Sequence, residues 1–188
     1  MDHTEAIVKL DNVINPDLMK NLIEFTKIKA VKYLNIRKGN TSVTDKSIRN
    51  VRGYSLLPNF FNSATDQAFW NYVKFEIQRV YPMYKAKFPY MVSSKMNQID
   101  FLRYTSGGKY EIHTDHFTTS TRALSIIINL NDDYQGGDLI FTDQNKKEVK
   151  RCKLGKGSIV FFPSNFMYPH SIEPITEGTR YSLVAWLQ

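Results

Sequence analysis

Apolar residues follow two rhythms along this chain. Up to about residue 95 they recur mainly at helical spacing. Beyond it they alternate or gather in short runs. Residues 7–11, IVKLD, predict a short strand. Asn15-Pro16-Asp17 then opens a helix: a first-turn proline loses no hydrogen bond, and Leu18, Leu22 and Phe25 return on one face. A second helix is predicted over 65–81, with Phe69, Val73, Ile77 and Val80 in one stripe and Pro82 as its stop. Between them, 33–60 is polar and broken by Gly39, Gly53 and Pro58, so it reads as loop with some strand, placed to border a substrate site.

From Gln98 the pattern changes to short strands, predicted at 98–105, 110–115, 122–131, 137–142, 148–153, 157–162, 168–173 and 179–187. Turn residues separate most of them, including Ser106-Gly107-Gly108, Gly136-Gly137 and Glu177-Gly178. Eight short strands at near-regular spacing predict an antiparallel sandwich or barrel, with the preceding helices packed outside one sheet. The fold class is therefore mainly β with flanking helices (α+β). The 188 residues read as one domain, with helical support over about 1–95 and a strand-rich core over about 96–188.

Composition adds few constraints. The 42% hydrophobic content suits a packed core, and the single cysteine, Cys152, excludes an intrachain disulfide. The acidic N-terminal stretch is no secretory signal, and no run approaches the roughly 18 apolar residues of a membrane span, so a soluble cytoplasmic protein is expected. The net charge of +7 comes from scattered basic groups and describes a solvated surface. Attraction to an acidic partner or nucleic acid is the sharper alternative.

Four histidines are present: His3, His113, His116 and His170. His113 and Asp115 stand two apart on a predicted strand, which puts both side chains on one face, about 6–7 Å apart along the backbone. His170 lies on another predicted strand. Two histidines and one carboxylate leave three positions of an octahedron open, the ligand set of non-haem Fe(II) oxygenases. A tetrahedral zinc site could use the same three residues with water, so the triad leaves the metal open. Arg180 shifts the balance. Alternation places it on one face with Ser182, Val184 and Trp186, and an inward arginine needs an anionic partner that its planar fork matches. A 2-oxo diacid chelating iron at one end would present its far carboxylate there. His116 follows Asp115 directly and points to the other face. His3 is expected in a disordered terminus.

The stretches RYTSGGKYEIHTD (103–115), ALSIIINLND (123–132), QGGDLIFTD (135–143), KGSIVFFPS (156–164) and PHSIEPITEGTRYSLVAWLQ (169–188) resemble the catalytic core of the 2-oxoglutarate/Fe(II)-dependent dioxygenase superfamily, in its prolyl 4-hydroxylase-like branch. VKLDNVINPDLMKNLIEF resembles the lead-in strand and helix of that branch. The resemblance implies a double-stranded β-helix, a jelly-roll or cupin-like core. It implies iron on His113, Asp115 and His170, and 2-oxoglutarate held by Arg180 and Tyr104, with Tyr110, Ser182 and Trp186 as pocket wall. Many prolyl hydroxylases carry Lys where Arg180 stands, while Arg occurs in other members. Gly136-Gly137 matches the family's turn before a core strand, where backbone geometry is the requirement.

The implied reaction is hydroxylation of an unactivated C–H bond with Fe(II), 2-oxoglutarate and O2, and with ascorbate as reductant. A prolyl residue in a protein or peptide is the expected substrate. A lid over the site is expected from 33–60 or 116–122. The rivals are an oxygenase of the same fold acting on a free amino acid or on nucleic acid, a non-catalytic jelly-roll binding module, and a zinc hydrolase. The nucleic-acid branch usually places a second arginine soon after the first, and YSLVAWLQ after Arg180 has none. Oligomeric state has no signature in the sequence.

Overall fold

The computed structural model describes residues 2–38, 41–93, 95–116 and 121–188. A 3-10 turn (His3–Ala6) leads through β1 (Val8–Leu10) into helix α1 (Pro16–Lys29). Five short strands follow: β2 (Lys32–Tyr33), β3 (Ile36–Lys38), β4 (Thr41–Val43), β5 (Arg49–Asn50) and β6 (Arg52–Leu56). Helix α2 (Ala64–Lys87) precedes the strand-rich half, which opens with β7 (Met96–Tyr104), β8 (Lys109–His113), β9 (Leu124–Asn129), β10 (Tyr134–Gly136) and β11 (Leu139–Thr142). It closes with β12 (Glu148–Cys152), β13 (Ile159–Pro163), β14 (His170–Ile172), β15 (Ile175–Gly178) and β16 (Arg180–Leu187).

A seven-stranded sheet runs β1-β13-β9-β16-β7-β6-β2, and a five-stranded sheet runs β12-β11-β14-β8-β5. Two ribbons, β10-β15 and β3-β4, complete the strands. Side-chain alternation gives the large sheet two apolar faces. Phe101, Ile126, Ile128, Phe161 and Leu183 pack against Leu22 and Phe25 of α1 and Val73, Ile77 and Tyr84 of α2. Leu102, Ile127, Val160 and Phe162 face Leu139, Phe141 and Ile172 of the smaller sheet. The site lies between the sheets, where this second layer becomes polar. No helix among the described residues is long and apolar enough to cross a membrane.

Both helices start on capped N-termini. Asn15 accepts from the Asp17 N–H in α1, and Ser63 accepts from the Asp66 N–H in α2. Pro82 does not end α2, which continues to Lys87. The reason is tertiary. Tyr84 is buried against Phe161 and Phe88, with ring centroids 5.4 and 4.9 Å away, and this packing holds the final turns despite the backbone bond that proline cannot make.

The 33–60 stretch contains more strand than its composition suggests. β6 pairs along its length with β7, from Arg52↔Arg103 to Leu56↔Ile99. Near the C-terminus, the predicted 168–173 strand is shorter and is followed by a separate strand, β15. Pro174, which has no N–H to give a ladder, lies between them. His3 is ordered, not disordered: its ring packs on Tyr168, 6.0 Å between centroids, and its carbonyl accepts from the Tyr168 hydroxyl.

Candidate metal and co-substrate site

His113 closes β8, His170 opens β14, and the two are direct cross-strand partners. Asp115 follows β8 by two residues. The ligand atoms of the three side chains lie within 4.8 Å of one another. Asp115 Oδ1 is 3.6 Å from His113 Nε2, and Oδ2 is 3.7 Å from His170 Nε2. Each imidazole is oriented from behind: His113 Nδ1 meets the Glu111 carbonyl at 2.8 Å, and His170 Nδ1 meets the Tyr168 carbonyl at 3.1 Å. A carbonyl only accepts, so both Nδ1 atoms carry hydrogen and both Nε2 lone pairs face the cluster.

Burial, reinforced by repulsion from His170, pushes His113 down to about 3. Burial would raise Asp115, but the two histidines and a hydrogen bond from Ser125 outweigh it and hold the carboxyl at about 2. At neutral pH His113 is therefore a neutral donor and Asp115 an anion, which together with His170 make a donor set suited to a divalent cation. His116 stands apart from it, its Nδ1 3.2 Å from the Arg122 carbonyl.

Arg180 opens β16 opposite Tyr104, its Cα partner on β7. It is 1% exposed. Its Nε donates to Asn129 Oδ1 at 3.0 Å, while Nη1 and Nη2 are buried and make no hydrogen bond among the described residues. A buried guanidinium with its fork open is costly unless an anion completes it, so this arrangement fits a bound carboxylate. The guanidinium carbon sits 5.3 Å from the Tyr104 ring, and burial, only partly opposed by Arg180, keeps the Tyr104 phenol protonated. Gly137 makes room beside it. Its φ is +70°, and a Cβ there would run into Ile175 and press on the Arg180 stem.

Triad and arginine open onto one cavity of about 390 Å³. Arg180, Ser182, Val184 and Trp186 all line it, as strand alternation predicts, and so do Tyr104 and Tyr110. Tyr110 stacks on His113, 3.6 Å between centroids and 18° between planes, and the Arg49 guanidinium lies over the Tyr110 ring at 4.7 Å from its centroid.

A model of the 2OG-Fe(II) oxygenase superfamily matches residues 99–188. The second half of the chain is similar to that superfamily. Among similar proteins, a PKHD-type hydroxylase of Prochlorococcus marinus is 31% identical over 103 residues, covering 53% of this chain and 45% of that protein. Another, from Gloeothece citriformis, is 31% identical over 100 residues, covering 50% and 44%. The chain thus spans about half the length of the curated relatives it matches.

The fold is shared more widely. A prolyl hydroxylase of Trichoplax adhaerens, solved with a peptide fragment of the hypoxia inducible factor oxygen degradation domain, aligns with a TM-score of 0.76 at 14% identity, over 98% of this chain and 84% of that one. A Pseudomonas putida prolyl-4-hydroxylase aligns at 0.70 with 20% identity, over 97% and 92%. Two facing sheets with these neighbours make the core a jelly-roll.

Several contributors to the candidate site have no motif of their own. Asn129 braces Arg180, and Ser125 hydrogen-bonds Asp115. Both are polar interruptions four apart in the apolar run ALSIIINL, which puts them on one strand face, and that interruption is the signal that would find them. Arg49 ion-pairs with Asp100 at 3.6 Å, and Arg122 stacks on Trp186 at 3.6 Å. Of the two lid expectations, Asn35, Ile36, Arg37 and Ser42 from the first do border the cavity. Residues 117–120 of the second lie outside the described residues.

Proposed function

We propose that this chain is an Fe(II)- and 2-oxoglutarate-dependent dioxygenase that hydroxylates an unactivated C–H bond, with a prolyl residue of a protein or peptide as its substrate. The observation that carries this reading is one cavity shared by the His113–Asp115–His170 cluster and a buried guanidinium with an open fork.

In this reading His113, Asp115 and His170 hold the iron. Arg180 and Tyr104 receive the far carboxylate of 2-oxoglutarate, and Tyr110, Ser182 and Trp186 wall the remaining space. The bound iron with its co-substrates supplies the oxidising chemistry, in which 2-oxoglutarate, O2 and the substrate C–H give succinate, CO2 and the C–OH product. Ascorbate serves as the external reductant. The protein's share is positioning. The Glu111 and Tyr168 carbonyls keep both imidazoles facing inward, Asn129 keeps Arg180 aimed before its guest arrives, and the enclosing sheets keep bulk water away. The prolyl assignment is supported by the names of the structural neighbours, and the peptide bound to one of them supports a peptide substrate. The 188 residues act as one catalytic unit.

The test is succinate formation from 2-oxoglutarate with Fe(II), screened over proline-containing peptides, free amino acids and oligonucleotides. Turnover is expected with a proline-containing peptide. Turnover confined to the other substrates would reassign the substrate. No turnover with any of them, together with no metal-dependent 2-oxoglutarate binding, would overturn the enzyme reading.

A further inference from the structure

Asp115 does not approach the cluster alone. Its Oδ2 accepts from Ser125 Oγ at 2.7 Å, and Ser125 Oγ lies 2.7 Å from Ser164 Oγ. Ser125 is 0% exposed and Ser164 1%. Ser125 sits on β9 among inward-facing apolar neighbours, and Ser164 immediately follows β13. Hydroxyls this deep are costly without partners, so the pair answers to a specific acceptor.

The direction of the chain follows from proton counting. An ionised carboxylate can only accept, so Ser125 spends its single proton on Asp115. Ser125 Oγ must then accept from Ser164, which becomes the donor at the head of the line. The backbone fixes the same three segments. The Ser164 N–H donates to the Ala123 carbonyl at 3.0 Å, and the Ser164 carbonyl accepts from the His116 N–H at 3.0 Å. Ser164 therefore grips both the strand that carries Ser125 and the segment that carries Asp115.

We propose that Ser164 and Ser125 form a one-way hydroxyl relay that sets the rotation of the Asp115 carboxylate and so fixes how it meets the metal. Ser125 is the positioning residue, and Ser164 fixes the direction of its donor. The relay rests on the metal-site reading above. It differs from serines that merely satisfy a core, because its effect passes through Asp115 to the ion. Ser164 acts only through Ser125, so the two serines cannot contribute independently.

Cobalt(II) binding tests this, with affinity from titration and ligand geometry from the visible spectrum of the Co(II) protein. Ser125→Ala is expected to weaken Co(II) binding about 10- to 100-fold and to shift the spectrum. Ser164→Ala should weaken it less and shift the spectrum in the same sense. The double variant should match Ser125→Ala in affinity and spectrum. Wild-type affinity and spectrum in Ser125→Ala, or additive effects in the double variant, would overturn the relay. Should Ser125→Ala fail to fold, Ser164→Ala decides: weaker binding with a shifted spectrum supports the relay, and unchanged binding overturns it. His113→Ala separates the two levels. If it loses Co(II) while Ser125→Ala binds normally, only the relay falls. If His113→Ala itself binds like wild type, the metal site falls and the relay with it.

Discussion

His113 is neutral for reasons visible at its own atoms: burial and the second imidazole in front of it outweigh the Asp115 charge and the backbone carbonyl behind it, both of which favour its protonated form. This has a consequence for acid stability. In the unfolded chain His113 takes a proton near 6.5, and in the folded protein only at about 3. Between these values the unfolded state binds more protons, so the stabilisation is complete above pH 6.5 and is lost as pH falls toward 3. Asp115 adds a further loss between 3.8 and about 2, again toward acid. Calorimetry of the metal-free protein should show melting temperature falling below pH 6.5, with a shallower fall in His113→Gln. Parallel curves for the two proteins would refute this. Arg180 makes a second prediction. Removing a buried charged partner costs about 2–5 kcal/mol, so Arg180→Ala should raise the KM for 2-oxoglutarate at least tens of fold while Co(II) affinity stays near wild type. Arg180→Lys, which keeps the charge but loses the fork and the Asn129 contact, should fall between the two.

Among the secondary-structure elements, β16 organises the molecule. It lies between β7 and β9. One face packs on the helices through Tyr181, Leu183, Ala185 and Leu187, and the other offers Arg180, Ser182, Val184 and Trp186 to the cavity. That strand was legible because its inward face is unusually polar, so the period-two pattern stands out. β9 hid its functional residues for the opposite reason. Buried on both faces, it reads as one apolar run, and Ser125 and Asn129 look like accidents within it. β2 to β6 were legible only as loop with some strand, because polar residues together with Gly39, Gly53 and Pro58 interrupt any period there. The triad was legible from spacing and resemblance, whereas Arg49 and Arg122 reach the cavity through contacts on aromatic rings that no local pattern records. α2 offers an element-scale test. Pro82 lies inside it and removes one backbone hydrogen bond. Pro82→Ala should therefore stabilise the protein, by up to about 3 kcal/mol, read as a higher urea midpoint with an unchanged slope. A lower midpoint would mean that the ring's packing outweighs the missing bond.

At the scale of the whole molecule, the site joins parts of the chain that meet only in the folded state. Metal and 2-oxoglutarate should therefore act as stabilisers. At 100 times its dissociation constant a ligand contributes about 2.7 kcal/mol, so Mn(II) with 2-oxoglutarate should raise the melting temperature by roughly 5–10 °C, and EDTA should reverse the shift. An equal shift with 2-oxoglutarate alone would mean that the metal contributes nothing.

His113 and His170 are also opposite each other in a single ladder, with a register irregularity immediately beyond, between His170 and Ile172. A slip of one residue there would turn one imidazole out of the cluster. On the proposed metal-site reading, capture of the ion would therefore proofread strand pairing. An ion offered during refolding would be retained only by chains that have aligned β8 with β14, and the fraction of protein binding it would count the molecules in register.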